Sequence, residues 1–180
     1  MDDKDLLELY KEEGKGNYAF NLIVGKYSER LYWHIRKMVA SHDDANDLLQ
    51  NTFIKAWKAL PEFREESKLF TWLYRIATNE VLTFLKRKQV RSFLSLTDYS
   101  KKLENILESD TYFNGDAAQK ALYKAIFKLP EKQRIVFNMR YFDELKYEEI
   151  SDILGTSVGA LKASYHHAIQ KIQESLQELL

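Results

Sequence analysis

Apolar residues recur every three to four positions along almost the whole chain, the period of an amphipathic α-helix rather than the two-residue alternation of a half-buried strand. In the first half this period predicts four helices, Lys4 to Glu13, Tyr18 to Val39, Asp43 to Ala59 and Phe70 to Gln89. Ser41, with Asp44 three residues on, suits the start of the third helix, and Leu60-Pro61 closes it because the residue before a proline disfavours the helical region. From Val90 to Asp116 the pattern decays into a Ser-, Thr- and Asp-rich, slightly acidic stretch. That stretch reads as a flexible linker, averaging roughly 30 Å end to end. Periodicity then returns, with a helix from Ala117 to Lys128, a Leu129-Pro130 break, a helix from Glu131 to Phe142, and a final helical pair. The expected fold is all-α: two small helical domains, 1–89 and 117–180, each a rigid unit on the mobile tether 90–116.

The final pair carries the strongest functional signal. Ile150, Ile153 and Leu154 belong to one helix, Gly155-Thr156-Ser157 forms a corner, and Val158, Leu161, Tyr165, Ala168 and Ile172 line the next. Gly155 can take the positive φ that ends a helix, and the Ser157 hydroxyl can cap the following one. Two helices joined at so tight a corner make a helix-turn-helix, whose second helix enters the DNA major groove with its N-terminal residues near base edges. Gly159, Ala163, His166, His167 and Gln170 project outward, with Lys162 on the flank, a small and polar face that a groove can approach. The plainer reading is the last helical pair of a bundle with a solvated face.

Two helices of the first block carry more than a core stripe. In the third, Ala45, Leu49, Thr52, Phe53, Ala56 and Leu60 share one side, leaving Ile54 among Asp47, Gln50, Asn51 and Lys58 on the other. An apolar centre ringed by acid and amide is how a protein-docking face looks, although one exposed isoleucine is also ordinary. In the fourth, Phe70, Leu73, Tyr74, Ala77, Val81, Phe84 and Leu85 point inward, so Trp72, Arg75, Asn79, Thr83 and Lys86 fall together outside. A base can stack on such an indole while amide and cations take edges and phosphates. The competing reading covers Trp72 with the loop from Pro61 to Lys68.

Composition narrows the classes. No cysteine is present, which removes disulfides and thiolate metal sites and fits a reducing cytoplasm. No run approaches the roughly 20 apolar residues of a membrane span, and the acidic start MDDKDLLELYKEE is unlike a signal peptide. A cytoplasmic protein without membrane insertion is expected. Lys+Arg and Asp+Glu both number 27, whereas a protein that binds DNA unaided usually carries a basic excess. That balance disfavours the alternative of a self-sufficient helix-turn-helix repressor or activator. His34, His42, His166 and His167 have no metal-ligand spacing, no Gly-rich phosphate loop occurs, and no catalytic set can be nominated. Neither an enzyme nor a cofactor is expected.

The segment DDANDLLQNTFIKAWKALPEFREESKLFTWLYRIATNEVLTFLKRK resembles the second conserved region of the sigma-70 family, in its extracytoplasmic-function (ECF) group. LPEKQRIVFNMRYFDELKYEEISDILGTSVGALKASYHHAIQKI is similar to that group's fourth region. The resemblance covers both blocks in order and implies a dissociable, non-catalytic initiation subunit of bacterial RNA polymerase. It further implies that Asp47, Gln50, Asn51 and Ile54 dock on the clamp helices of the largest polymerase subunit, and that the fourth region meets the flap of the second-largest. Phe63, Ser67, Trp72, Arg75, Asn79 and Lys86 would recognise and open the minus-ten promoter element, a flipped base lodging beside the loop from Phe63 to Lys68. Ser157, Gly159, Lys162, Ala163, His166, His167 and Lys171 would read the minus-thirty-five element as duplex. The resemblance leaves room for an anti-sigma factor. The chain departs from the pattern at Ser164, His167 and Ile169, where relatives commonly carry arginines.

Overall fold

Asp2 opens the first helix with a capping box, its carboxylate accepting from the Asp5 amide while the Asp5 carboxylate accepts from the Asp2 amide. A computed structural model describes residues 1–91, 96–113 and 115–178. Among the described residues there are nine α-helices and no strand: α1 (Asp3–Lys11), α2 (Gly16–Val39), α3 (His42–Ala59), α4 (Leu69–Arg91), α5 (Leu96–Ser109), α6 (Ala117–Phe127), α7 (Glu131–Tyr141), α8 (Tyr147–Leu154) and α9 (Val158–Glu178). Ser41 caps α3 by accepting from the Asp44 amide at 3.3 Å, and a 3-10 turn at Leu60–Glu62 closes it. α1 stops two residues short of the expected Glu13, because Glu12 is already extended and Gly14 turns at φ +76°.

The periodicity places the core well. Ala45, Thr52, Phe53, Ala56 and Leu60 of the third stripe are buried, as are Phe70, Leu73, Tyr74, Ala77, Val81 and Leu85 of the fourth. Leu48 rather than Leu49 is the fully buried leucine of α3, and Phe84 is half-buried.

One expectation is corrected. The segment read as flexible coil contains helix α5, and it is tied down at its end: Leu107 and Phe113 are buried, the Arg36 guanidinium pairs with Asp110 and lies 4.7 Å from the Phe113 ring centre. Its surface charge masked the few apolar anchors that make it fold. Residues 92–95 and 114 of that segment, and 179–180 at the end of the second block, lie outside the described residues. The two helical blocks also pack against one another. One continuous apolar cluster runs from Leu6 and Ile23 through Tyr74 and Leu85 to Met139, Ile150, Ile153 and Leu161, with α2 against α7 and α4 against α8. A second cluster joins Ala40 of the first block to Phe113, Tyr123, Phe127 and Ala168.

Candidate nucleic-acid interface

The outward face of α4 forms one wall of a cavity of about 370 Å³, whose other wall is the loop leading into that helix. The loop bends at Glu65, a non-glycine residue at φ +57°, a conformation that is unfavourable for a residue with a Cβ. Its carboxylate is held by Lys11 of α1 at 2.7 Å, which fixes the bend from outside the cavity. Phe63 reaches back to Trp72, their ring centres 4.9 Å apart and tilted by 37°. Both rings are half-buried. Trp72 is therefore neither fully outward nor fully covered: Phe63 supports one part of the indole and the cavity leaves another open.

Phe63, Ser67, Trp72 and Arg75 line this single cavity. Asn79 and Lys86 lie further along α4, both exposed, so the expected set divides into a pocket and a polar line running from it. From Arg75 to Lys86 is eleven residues of helix, about 16 Å. A stacking surface, hydroxyl and cation at one end, and amide and cation along the helix, can hold an unpaired base and its flanking strand. Asp152 of α8 also lines the cavity, a residue that sequence reasoning did not assign to the site. Nothing in the local pattern of α8 marks it, because its role depends on how the blocks meet.

The second candidate surface is built as its turn chemistry demands. Gly155 ends α8 at φ +67°, its N–H donating to the Ser151 carbonyl, and the Ser157 hydroxyl accepts from the Ala160 amide at 3.3 Å. Leu161, Ala168 and Ile172 are buried and Tyr165 half-buried, which turns Ser157, Gly159, Lys162, Ala163, His166, His167 and Lys171 to solvent. A Cβ added to Gly159 meets nothing within 4 Å, so internal packing does not require the glycine there. The Lys162 ammonium lies 5.8 Å over the Tyr147 ring.

The third surface is the solvent side of α3, where Asp47, Gln50, Asn51 and Ile54 are all exposed. Ile54 is not alone: Trp57, one turn on, is also exposed and extends the apolar patch, braced by Tyr10 and Phe20 at ring-centre distances of 6.0 and 5.0 Å. Among the described residues no group of three or more His, Cys, Asp or Glu could hold a metal ion, and no helix is long and apolar enough to cross a membrane.

Comparison with known proteins matches both blocks. Residues 23–91 match the family model for sigma-70 region 2, and residues 119–172 match that for sigma-70 region 4. The ECF RNA polymerase sigma factor SigW of Bacillus subtilis is 31% identical over 179 residues, covering 94% of this chain and 95% of its own. The RNA polymerase sigma-H factor of Pseudomonas aeruginosa is 31% identical over 186 residues, covering 99% and 95%. Among solved structures, CnrH in complex with the cytosolic domain of CnrY has a TM-score of 0.70 at 22% identity, over 98% of this chain and 97% of that one. The sigma factor RpoE bound to the anti-sigma factor NepR from Bartonella quintana has a TM-score of 0.67 at 22% identity, over 88% and 96%. At that identity the structural likeness speaks for the fold.

Proposed function

Because the chain belongs to the sigma-70 family of RNA polymerase sigma factors, in its extracytoplasmic-function group, we propose that it directs core polymerase to promoters through three surfaces built on its two blocks. Residues 1–89 act as the polymerase-docking and strand-opening unit, and 117–180 as the duplex reader. Asp47, Gln50, Asn51 and Ile54 meet the polymerase clamp helices. Phe63, Ser67, Trp72 and Arg75 receive a base extruded from the minus-ten element, while Asn79 and Lys86 follow its strand. Opening is favoured because the extruded base regains stacking, worth about 1–3 kcal/mol per base. Ser157, Gly159, Lys162, Ala163, His166, His167 and Lys171 face the minus-thirty-five element, and the flap of the second-largest subunit holds that block in register. The chain works in the cytoplasm, contributes binding rather than bond chemistry, and can be sequestered by an anti-sigma factor, as the sigma factor RpoE is bound by NepR.

One observation carries this reading: a single chain holds both an aromatic pocket beside a cation and a capped helix-turn-helix, on a framework of zero net charge. Pocket and reader suit melted and duplex DNA respectively, and the charge balance leaves most phosphate contacts to the polymerase. The test is initiation by bacterial core polymerase with the purified protein on a template library. Dependence on the protein, with two short motifs enriched at fixed spacing upstream of the starts, is expected. Folded protein that neither binds core polymerase nor yields transcripts would overturn the proposal.

A further inference from the structure

The second block rests on the pocket just described. Arg75 donates from Nε to the backbone carbonyl of Asp152 at 3.1 Å and again from Nη2 to the same oxygen. That oxygen belongs to the last turn of α8, where helical geometry leaves carbonyls without N–H partners and gathers the negative end of the helix dipole. A guanidinium fork meets two lone pairs there much as it would meet a phosphate. Asp152 also places a residue of the second block on the cavity wall, beside Trp72 and Ser67.

A second contact holds the same closure. Asp143, in the loop between α7 and α8, is 5% exposed at its side chain and is aimed inward by a bend at Glu144, φ +54°. It accepts from His34 Nδ1 at 3.1 Å and from Lys37 Nζ at 3.2 Å, both on α2. A carboxylate can only accept, so Nδ1 carries a proton, and the other ring nitrogen lies 3.0 Å from the Thr78 hydroxyl of α4. His34 is 1% exposed and its ring lies 4.7 Å from that of Tyr74. Asn138 of α7 adds a hydrogen bond to the Lys37 carbonyl at 3.3 Å. A carboxylate is stable at such depth only when paired, and here every partner lies in the other block.

We propose that the C-terminal end of α8 is a built-in competitor for the minus-ten strand: it occupies Arg75 and forms part of the pocket wall, and Asp143, inserted between His34 and Lys37, latches it there. This rests on the pocket role proposed above. Minus-ten and minus-thirty-five elements are roughly 25 base pairs, or about 85 Å, apart on B-form DNA. In the closed chain Ser157 is five residues from Asp152, at most about 18 Å of backbone, so it cannot stand that far from Arg75. Promoter engagement therefore requires the latch to open, and the free chain binds polymerase with an affinity reduced by its open fraction.

The chain has no cysteine, so a dye pair can be placed at two introduced cysteines, Lys58→Cys on α3 and Glu174→Cys on α9, both exposed positions. Energy transfer in the free protein should report one short distance. Asp143→Lys, which sets like charges against Lys37, should lengthen and broaden it, and unlabelled Asp143→Lys should bind core polymerase about tenfold more tightly. Adding Lys37→Asp should restore both values, which separates release of a latch from misfolding. An unchanged distance in Asp143→Lys, a lengthened distance without tighter polymerase binding, or no restoration by the double variant would overturn the latch. The distances are read without polymerase or DNA. A wild type that never supports initiation would instead overturn the function proposed above.

Discussion

Ile54 offers the sharpest measure of polymerase docking, because its position separates binding from folding. Its residue surface is 52% exposed in the free chain. Complete burial of an isoleucine stabilises by about 1.5–3 kcal/mol, so the half still in water can contribute about 1–1.5 kcal/mol when a partner covers it. Ile54→Ala should then weaken binding to core polymerase by about five- to tenfold, at 1.4 kcal/mol per factor of ten. Ile54→Asp should lose about a further factor of ten, since docking would also desolvate a carboxylate near the exposed Asp47. Folding stability should stay within about 0.5 kcal/mol for either change. The assay is competition against labelled wild type for core polymerase, paired with melting by circular dichroism, with Lys4→Ala at an exposed position of α1 as a control. Affinities within twofold of wild type for both variants would refute the reasoning, as would a melting temperature lowered by several degrees. Trp57 cannot serve the same purpose, because its contacts with Tyr10 and Phe20 make Trp57→Ala a folding variant as well.

Gly155→Ala should destabilise by about 1–2 kcal/mol through its φ of +67° alone, since an added Cβ meets nothing within 4 Å; Gly155→Asn should lose less, and equal stability of all three in a thermal melt would contradict the turn reading. Trp72→Ala should lower initiation from a duplex promoter by roughly ten- to a hundredfold, with a smaller loss on a template whose minus-ten element is already mismatched open; equal losses on both would count against base stacking as the driver of opening. Burial alone would raise the Asp143 carboxyl, but hydrogen bonds and charge from His34 and Lys37 outweigh it and hold it below the ordinary 3.8. Its contribution to closure is thus fully present above that value and fades as pH falls through the lowered one. Dye-pair distances should show an acid-side opening below about pH 4 that Asp143→Asn abolishes, and the same limb in the variant would exclude Asp143 as its source.

Helix positions, and the grouping of residues on the solvent faces of α4 and α9, were legible because they depend on local chemistry. The stripe ending at Leu85, the Ser41 cap, Gly155 at positive φ and Ser157 at the start of α9 each follow from residues within one or two turns. The cavity was half legible: Trp72 and Arg75 share a helix face, but the return of Phe63 depends on a bend at Glu65, a residue type that gives no warning of positive φ. What the pattern could not show lies between the blocks. Asp143 and Asp152 look like solvated acids in a loop and on a short helix, and His34 like a lone histidine on an apolar face. His34 keeps Thr78 as a partner within its own block, but only the packing of α7 and α8 on α2 and α4 gives Asp143 its partners and brings the Asp152 carbonyl to Arg75. The linker misled for a related reason, since Leu107 and Phe113 are too few to set a period yet enough to anchor it.

The apolar cluster that unites Leu6 with Leu161 also fixes an order of events during synthesis. The N-terminal helices leave the ribosome with His34 and the apolar sides of α2 and α4 still lacking the residues that cover them, and nearly the whole chain must follow before α7 and α8 can do so. Until then the nascent protein carries an uncovered apolar side and an Arg75 without the α8 carbonyl at once. The helix-turn-helix, with α7 before it, is thus also the piece that covers the apolar sides of α2 and α4 in the closed chain.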